Sequence, residues 1–211
     1  DRLADCFDSI AESEARCVVV RGAGSAFCAG GDVGAMVEGA ERDAPVTERT
    51  AVVSAIHDAL KRVRDCRLPV VAAIDGPAFG AGAELALACD IQLASTDAKI
   101  GFGFRRVGLA VDSGVSYHLP RIVGPNKAKE LVFTGELLDA DTARELGVFT
   151  RLFDTDEFES GDLAELLDLD LSPGRVRAAR QVLAGVRQGQ MLGDLLGSVV
   201  GLGCRRRVSD V

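Results

Sequence analysis

The sequence has no tryptophan, one tyrosine, two histidines and two methionines among its 211 residues. So few histidines leave little with which to build a metal centre. The six cysteines (Cys6, Cys17, Cys28, Cys66, Cys89 and Cys204) form no C-x-x-C pair and have no nearby histidine to complete a site. They are expected to be reduced, mostly buried thiols. No apolar run approaches the roughly 20 residues needed to span a bilayer, and the first residues lack a charged-then-apolar signal pattern. A cytoplasmic location is expected, with no membrane partner. Positive charge is short as well: 24 Lys+Arg against 32 Asp+Glu give a net charge of −8, spread along the chain. That balance argues against nucleic acid, which needs clustered cations. The acidity suits solubility, with adaptation to high salt as the sharper alternative.

What the chain does have is apolar content, 47% of its residues, enough for one main domain with a smaller appendage. Helical spacing over Leu3–Glu12 is followed by a β-branched run, Cys17–Gly22. A small-residue stretch, Ala23–Asp32, leads to a short helical pattern and then a charged break at Glu41–Thr47, expected to be exposed and mobile. Apolar periodicity over Thr47–Cys66 predicts a helix of about five turns, closed by Leu68-Pro69. Val70–Asp75 has the continuous apolar character of a strand buried on both faces, and Asp90–Ser95 returns as another strand after a helical ELALAC. Strand, helix, strand is thus repeated, which predicts an α/β fold with helices outside a parallel sheet. Helix starts are expected near Asp112-Ser113, Pro125 and Asp139, then a strand over Val148–Phe153, then amphipathic helices to the end.

Two of the buried strands end in glycine-rich turns that lead into helices: AGSAFCAGGD (Ala23–Asp32) and GPAFGAGAELALACD (Gly76–Asp90). A helix N-terminus offers unpaired N–H groups and the positive end of its dipole. Two such turns facing each other would form an oxyanion hole for a carbonyl oxygen that gains charge. The plainer reading is that the glycines permit tight turns and close packing. Dinucleotide binding is disfavoured, because Gly22, Gly24, Gly30 and Gly31 do not follow G-x-G-x-x-G spacing.

AFCAGGD (Ala26–Asp32), LPVVAAIDGPAFGAGAELALACDIQLAS (Leu68–Ser95), GLAVDSGVSYHLPRIVG (Gly108–Gly124) and LVFTGELLDADTARELGVFTRLF (Leu131–Phe153) occur in this order. Together they resemble the crotonase superfamily of enoyl-CoA hydratases and isomerases. The resemblance implies a repeated ββα spiral core over residues 1–153 and a C-terminal helical trimerisation region over 154–211, assembled as a homotrimer or a hexamer of paired trimers. It places the thioester carbonyl between the N–H groups of Gly31 and Ala81. The CoA and acyl parts of the substrate would lie against Ala29, Gly30, Asp32, Val33, Gly80 and Phe104. No metal and no separate cofactor is implied, coenzyme A being part of the substrate.

Glu84 matches the first of the two glutamates that hydratases of the family use as acid and base, one helical turn beyond Ala81. Dipole compensation is its structural alternative. The second glutamate is expected where this chain has Phe104, so the two-glutamate hydration mechanism is not available in its usual form. Asp112, in VDSG, stands where dienoyl-CoA isomerases and ring-opening epoxide isomerases of the family have a base, and chlorobenzoyl-CoA dehalogenases a nucleophile. It is expected to be buried against Phe104 and CoA with a raised pKa, or to cap a helix beginning at Ser113. His57 is expected to be structural, His118 to face the pocket only if its helix turns inward, and Arg105, Arg106 and Arg205–Arg207 to be solvated, with Arg105 and Arg106 as alternatives for steering CoA phosphates. The leading reading is an acyl-CoA lyase or isomerase in fatty-acid or related metabolism. Its rivals are a crotonase-like CoA-binding protein without catalysis and a hydrolase or dehalogenase using Asp112. Against the family pattern, an N-terminal strand and hairpin and a final acidic helix are expected to be missing pieces.

Overall fold

The computed structural model describes residues 2–10, 15, 17–112, 114–160, 180–184 and 199–203. The elements run α1 (Arg2–Ile10), β1 (Val18–Gly22), α2 (Val33–Glu41), α3 (Val46–Arg64), β2 (Val70–Ile74), β3 (Pro77–Phe79), α4 (Ala81–Ala88), β4 (Ile91–Ser95) and β5 (Lys99–Gly101). A 3-10 turn over Gly103–Val107 follows, then α5 (Val115–Val123), α6 (Pro125–Thr134), β6 (Leu137–Asp139), α7 (Ala140–Glu145), β7 (Arg151–Phe153), α8 (Thr155–Ser160), β8 (Arg180–Ala184) and β9 (Val199–Gly203).

The main sheet has the order β7-β4-β2-β1-β8-β9, with every pair parallel except β8 and β9. Apolar runs fill its centre because both faces are covered: all five residues of β2 are buried, and Val18, Val19 and Val20 of β1 are at most 3% exposed. The second sheet is small, β3-β5-β6, and a single parallel bridge from Cys28 to Ala78 adds the Ala26–Gly31 turn to its edge. Each turn of the chain therefore places one strand in the large sheet, one extended piece in the small sheet, and then a helix. β1, Cys28 and α2 make one such turn; β2, β3 and α4 the next; β4, β5 and α5 the third. This is the repeated ββα spiral.

Several boundaries differ from the sequence periodicity. The charged break is exposed, but it is a bonded turn and not an open loop: Ala44, 2% exposed, donates its N–H to Gly39 O at 2.8 Å, and Arg42 pairs with Glu48 across it. The strand expected over Val148–Phe153 shrinks to β7, because the N–H groups of Val148 and Phe149 turn back to Ala143 O at the end of α7. α5 begins at Val115 with Gly114 at its N-cap (φ 108), so Asp112 does not cap it. Within the region 154–211, the backbone of β8 and β9 is extended where periodicity predicts helix; β1 has an open edge whose backbone groups β8 pairs. Of the helices expected over 162–171, 175–187 and 191–203, all of the first and the parts of the others outside β8 and β9 lie outside the described residues, as does Cys204. The other five cysteines are free thiols, with Cys17, Cys28 and Cys89 buried.

Candidate active site

Two close approaches join the glycine-rich turns. Cys28 N–H donates to Pro77 O at 3.2 Å and Phe79 N–H to Cys28 O at 2.9 Å, zipping the first turn onto β3. Gly82, in the first turn of α4, lies so close to Cys28 that an added Cβ would stand 2.1 Å from Cys28 O, so only glycine fits there. Gly30 has φ +98, and a Cβ on it would meet Phe79 O at 2.5 Å and Ala81 N at 3.4 Å. The Gly30-Gly31 peptide is thus brought up to the N-terminus of α4. The Gly30 N–H is directed at the Cys28 sulfur, and burial outweighs it, pushing the Cys28 thiol up to about 11. Cys28 is a protonated wall residue near neutral pH.

α4 starts at Ala81 after Gly80, which has no side chain to cap it. Among the described residues, neither the Gly31 N–H nor the Ala81 N–H donates to a protein acceptor. Two backbone donors, one from each turn, are therefore available at one place, and the α4 dipole adds positive potential there. Asp32, expected to contact substrate, is the N-cap of α2: its Oδ1 accepts from Ala35 N–H at 2.9 Å. Ala29, Asp32 and Val33 are exposed beside this gap, and Gly31 and Gly80 are half-buried.

Glu84 follows Ala81 by one turn on α4, every residue of which is buried. Glu84 is 2% exposed and both its carboxyl oxygens are sealed from solvent. A charged group in so apolar a helix is costly to bury, which favours a functional reason for its presence. Phe104 sits in the 3-10 turn, 7% exposed, and packs in the same core cluster as Ala81 and Leu85. The position expected to hold a second acid is thus part of the apolar wall.

Asp112 departs from expectation. Its side chain is 44% exposed, not buried against Phe104, and its Oδ2 lies 3.8 Å from His57 Nε2 on α3. His57, expected to be structural, is this carboxylate's partner. Sequence periodicity held a hint, since His57, Leu60, Lys61 and Arg64 fall at i, i+3, i+4 and i+7 along one face of α3. His118 turns toward that face; burial first, then Arg64 and Arg121, hold its pKa below the ordinary value. Arg105 donates to Thr134 O at 3.3 Å and fastens the 3-10 turn to α6. Gly30, Gly31, Ala81 and Glu84 are therefore assembled into one unit, while Asp112 stands at a separate, half-exposed edge.

Among the described residues no group of three or more His, Cys, Asp or Glu could hold a metal, and no helix is long and apolar enough to cross a membrane. Residues 1–184 match the family described as Enoyl-CoA hydratase/isomerase. The chain is 41% identical over 134 residues to Enoyl-CoA isomerase/hydratase fer4 of Mycosarcoma maydis, covering 63% of this chain and 47% of that protein. It is 31% identical over 208 residues to mitochondrial methylglutaconyl-CoA hydratase of Mus musculus, covering 96% and 64%. It thus spans between about half and two thirds of the length of these relatives. Among solved structures, an enoyl-CoA hydratase from Bacillus anthracis superposes with a TM-score of 0.69 at 32% identity, over 77% of this chain and 62% of that one. One from Polaromonas sp. JS666 gives 0.70 at 30% identity, over 78% and 63%. With the spiral, the paired turns and these matches in agreement, the chain belongs to the enoyl-CoA hydratase/isomerase family, the crotonase superfamily.

Proposed function

We propose that this chain forms the acyl-CoA site of an enoyl-CoA hydratase/isomerase-type enzyme, and that isomerisation of the double bond is its favoured reaction. The observation that supports this reading most is the meeting of the Gly31 and Ala81 N–H donors one turn before a sealed carboxylate, Glu84. A thioester oxygen held by both donors would gain charge as a proton leaves carbon 2, giving an enolate that they stabilise. Glu84 and Asp112 are the groups proposed to take that proton and return it along the chain. The thioester itself acidifies carbon 2, so this chemistry needs no metal and no redox group. Phe104 cannot donate a proton, which weighs against the two-glutamate hydration route. Phe104 is also the observation that favours a second reading, a crotonase-like protein that binds acyl-CoA without turning it over.

One spectrophotometric experiment separates these. With a 3-enoyl-CoA, isomerisation raises the absorbance of the conjugated thioester; with crotonyl-CoA, hydration lowers it. The first outcome is expected to dominate. Binding with neither change would overturn the catalytic reading. We also propose a cytoplasmic homotrimer, or a hexamer of two trimers. Val107 (46% exposed), Leu109 (47%) and Phe133 (71%) leave apolar surface around the 3-10 turn and α6 for a subunit contact. A mass from light scattering tests it, and a monomer at micromolar concentration would refute it.

A further inference from the structure

Away from the paired turns, positive charge gathers in one depression. It holds about 300 Å³ between α3 and α5, and His57, Leu60, Lys61, Arg64, Tyr117 and His118 line it. From α5, Arg121 lies over the Tyr117 ring at 3.7 Å, so a second guanidinium stands at the same rim. Arg64 and His118 line the depression together, and Arg121 stands over Tyr117 in the same lining, so both guanidinium groups are near the His118 ring. Two carboxylates face them: Asp112 pairs with His57 at 3.8 Å, and Asp65 shares the Arg64 guanidinium at 3.3 Å. Lys61 has no ion-pair partner among the described residues.

The depression is also in line with the paired turns. Ala88 and Gly114 complete its lining. Ala81, Glu84 and Ala88 are related by i, i+3 and i+7, so they lie on one face of α4, and Ala88 is about 10 Å beyond Ala81 along the axis. That face is packed over, Ala81 and Glu84 being 8% and 2% exposed, so an acyl chain that parts this packing from the thioester end would run past Glu84 toward the cations. A plain alkyl end arriving there would cover an ammonium and imidazoles without replacing their water, which is unfavourable. A carboxylate would pair with them.

We propose that this depression receives a carboxylate at the far end of the acyl group, with Lys61 as the principal charge, so that the preferred substrates are medium-length acyl-CoA thioesters ending in a carboxylate. The inference rests on the acyl-CoA reading above. Its test is calorimetric titration of the full chain with suberoyl-CoA and with octanoyl-CoA, which share chain length and differ at the far end. Suberoyl-CoA is expected to bind about fivefold more tightly, as suits a partly exposed charge pair. Lys61→Met should remove most of that preference and leave octanoyl-CoA unchanged, and Lys61→Arg should retain it. Equal affinities in the unmodified protein, or equal weakening of both ligands by Lys61→Met, would overturn the proposal. If the preference is present but enoyl-CoA turnover is absent, the catalytic reading fails and this one stands; if neither ester binds, both fail.

Discussion

At the Gly31 and Ala81 end of the site, backbone meets backbone: two hydrogen bonds zip Cys28 to β3, and Gly82 presses on the Cys28 carbonyl with no room for a methyl group. At the Asp112 end, a side chain 44% exposed faces a histidine across 3.8 Å, and the helix behind it begins only at Val115. The first end is fixed by folding; the second depends on what packs against it. The comparison teaches that this fold holds the two proposed oxyanion donors rigidly, and leaves the placement of Asp112 adjustable.

The sharpest way to break the contrast is to remove the proposed proton-transfer group, Glu84, from the rigid end. Glu84→Gln keeps the shape of the side chain and should lower kcat by about 10²–10⁴-fold with little change in acyl-CoA affinity, measured by the absorbance assay and by calorimetry. Ala81→Pro removes the donor itself. Proline is accommodated at the first position of a helix, so the fold should persist by circular dichroism while kcat falls about 10²–10³-fold. Activity retained in either variant would show that the rigid end is only a packing device. At the adjustable end, Asp112→Asn should stop proton exchange at the acyl chain, followed by deuterium incorporation, while acyl-CoA binding persists; unchanged exchange would assign the chemistry to Glu84 alone.

Stability measurements sharpen the same comparison. Gly82→Ala forces a methyl group onto Cys28 O and should cost about 1–3 kcal/mol in urea unfolding, whereas alanine at Gly108, which meets nothing within 4 Å but has φ +72, tests backbone strain alone. The smallest effect expected is at His118. Its folded pKa lies below the ordinary 6.5, so below that pH the unfolded chain binds more protons than the folded one. Stability should be full above pH 6.5 and decline as pH falls from 6.5 through the folded value. His118→Gln should flatten that decline in urea midpoints taken at pH 5.5 and 7.5.

Much of the fold was legible because Val18–Val20 of β1 and all of β2 are continuous apolar runs, and runs of that kind need helices on both faces. The paired turns were legible because glycines cluster in both, and at two of them, Gly30 and Gly82, another stretch of backbone comes too close for a side chain. The partner of Asp112 was not, since His57 lies 55 positions earlier and only the packing of α3 beside the Asp112–Gly114 segment brings the two together. The exposure of Asp112 was hidden for a related reason: Gly114, not Asp112, opens α5, and a favoured capping residue two positions upstream gives no sign of this. The short β7 likewise depends on Val148 and Phe149 closing back on Ala143, a choice between two competing hydrogen-bond partners that apolar spacing does not decide.

The bridge between Cys28 and Ala78 has a mechanical consequence. Because the Ala26–Gly31 turn is bound to the strand that feeds α4, the two donors ride on one body, and thermal motion that displaces the exposed α2 shifts neither relative to the other. The width of the gap between them is then insulated from sequence drift in the surrounding helices. Under the proposed function, variation at Phe104, His57 or Asp112 would redirect what happens along an acyl chain without detuning the proposed grip on its thioester.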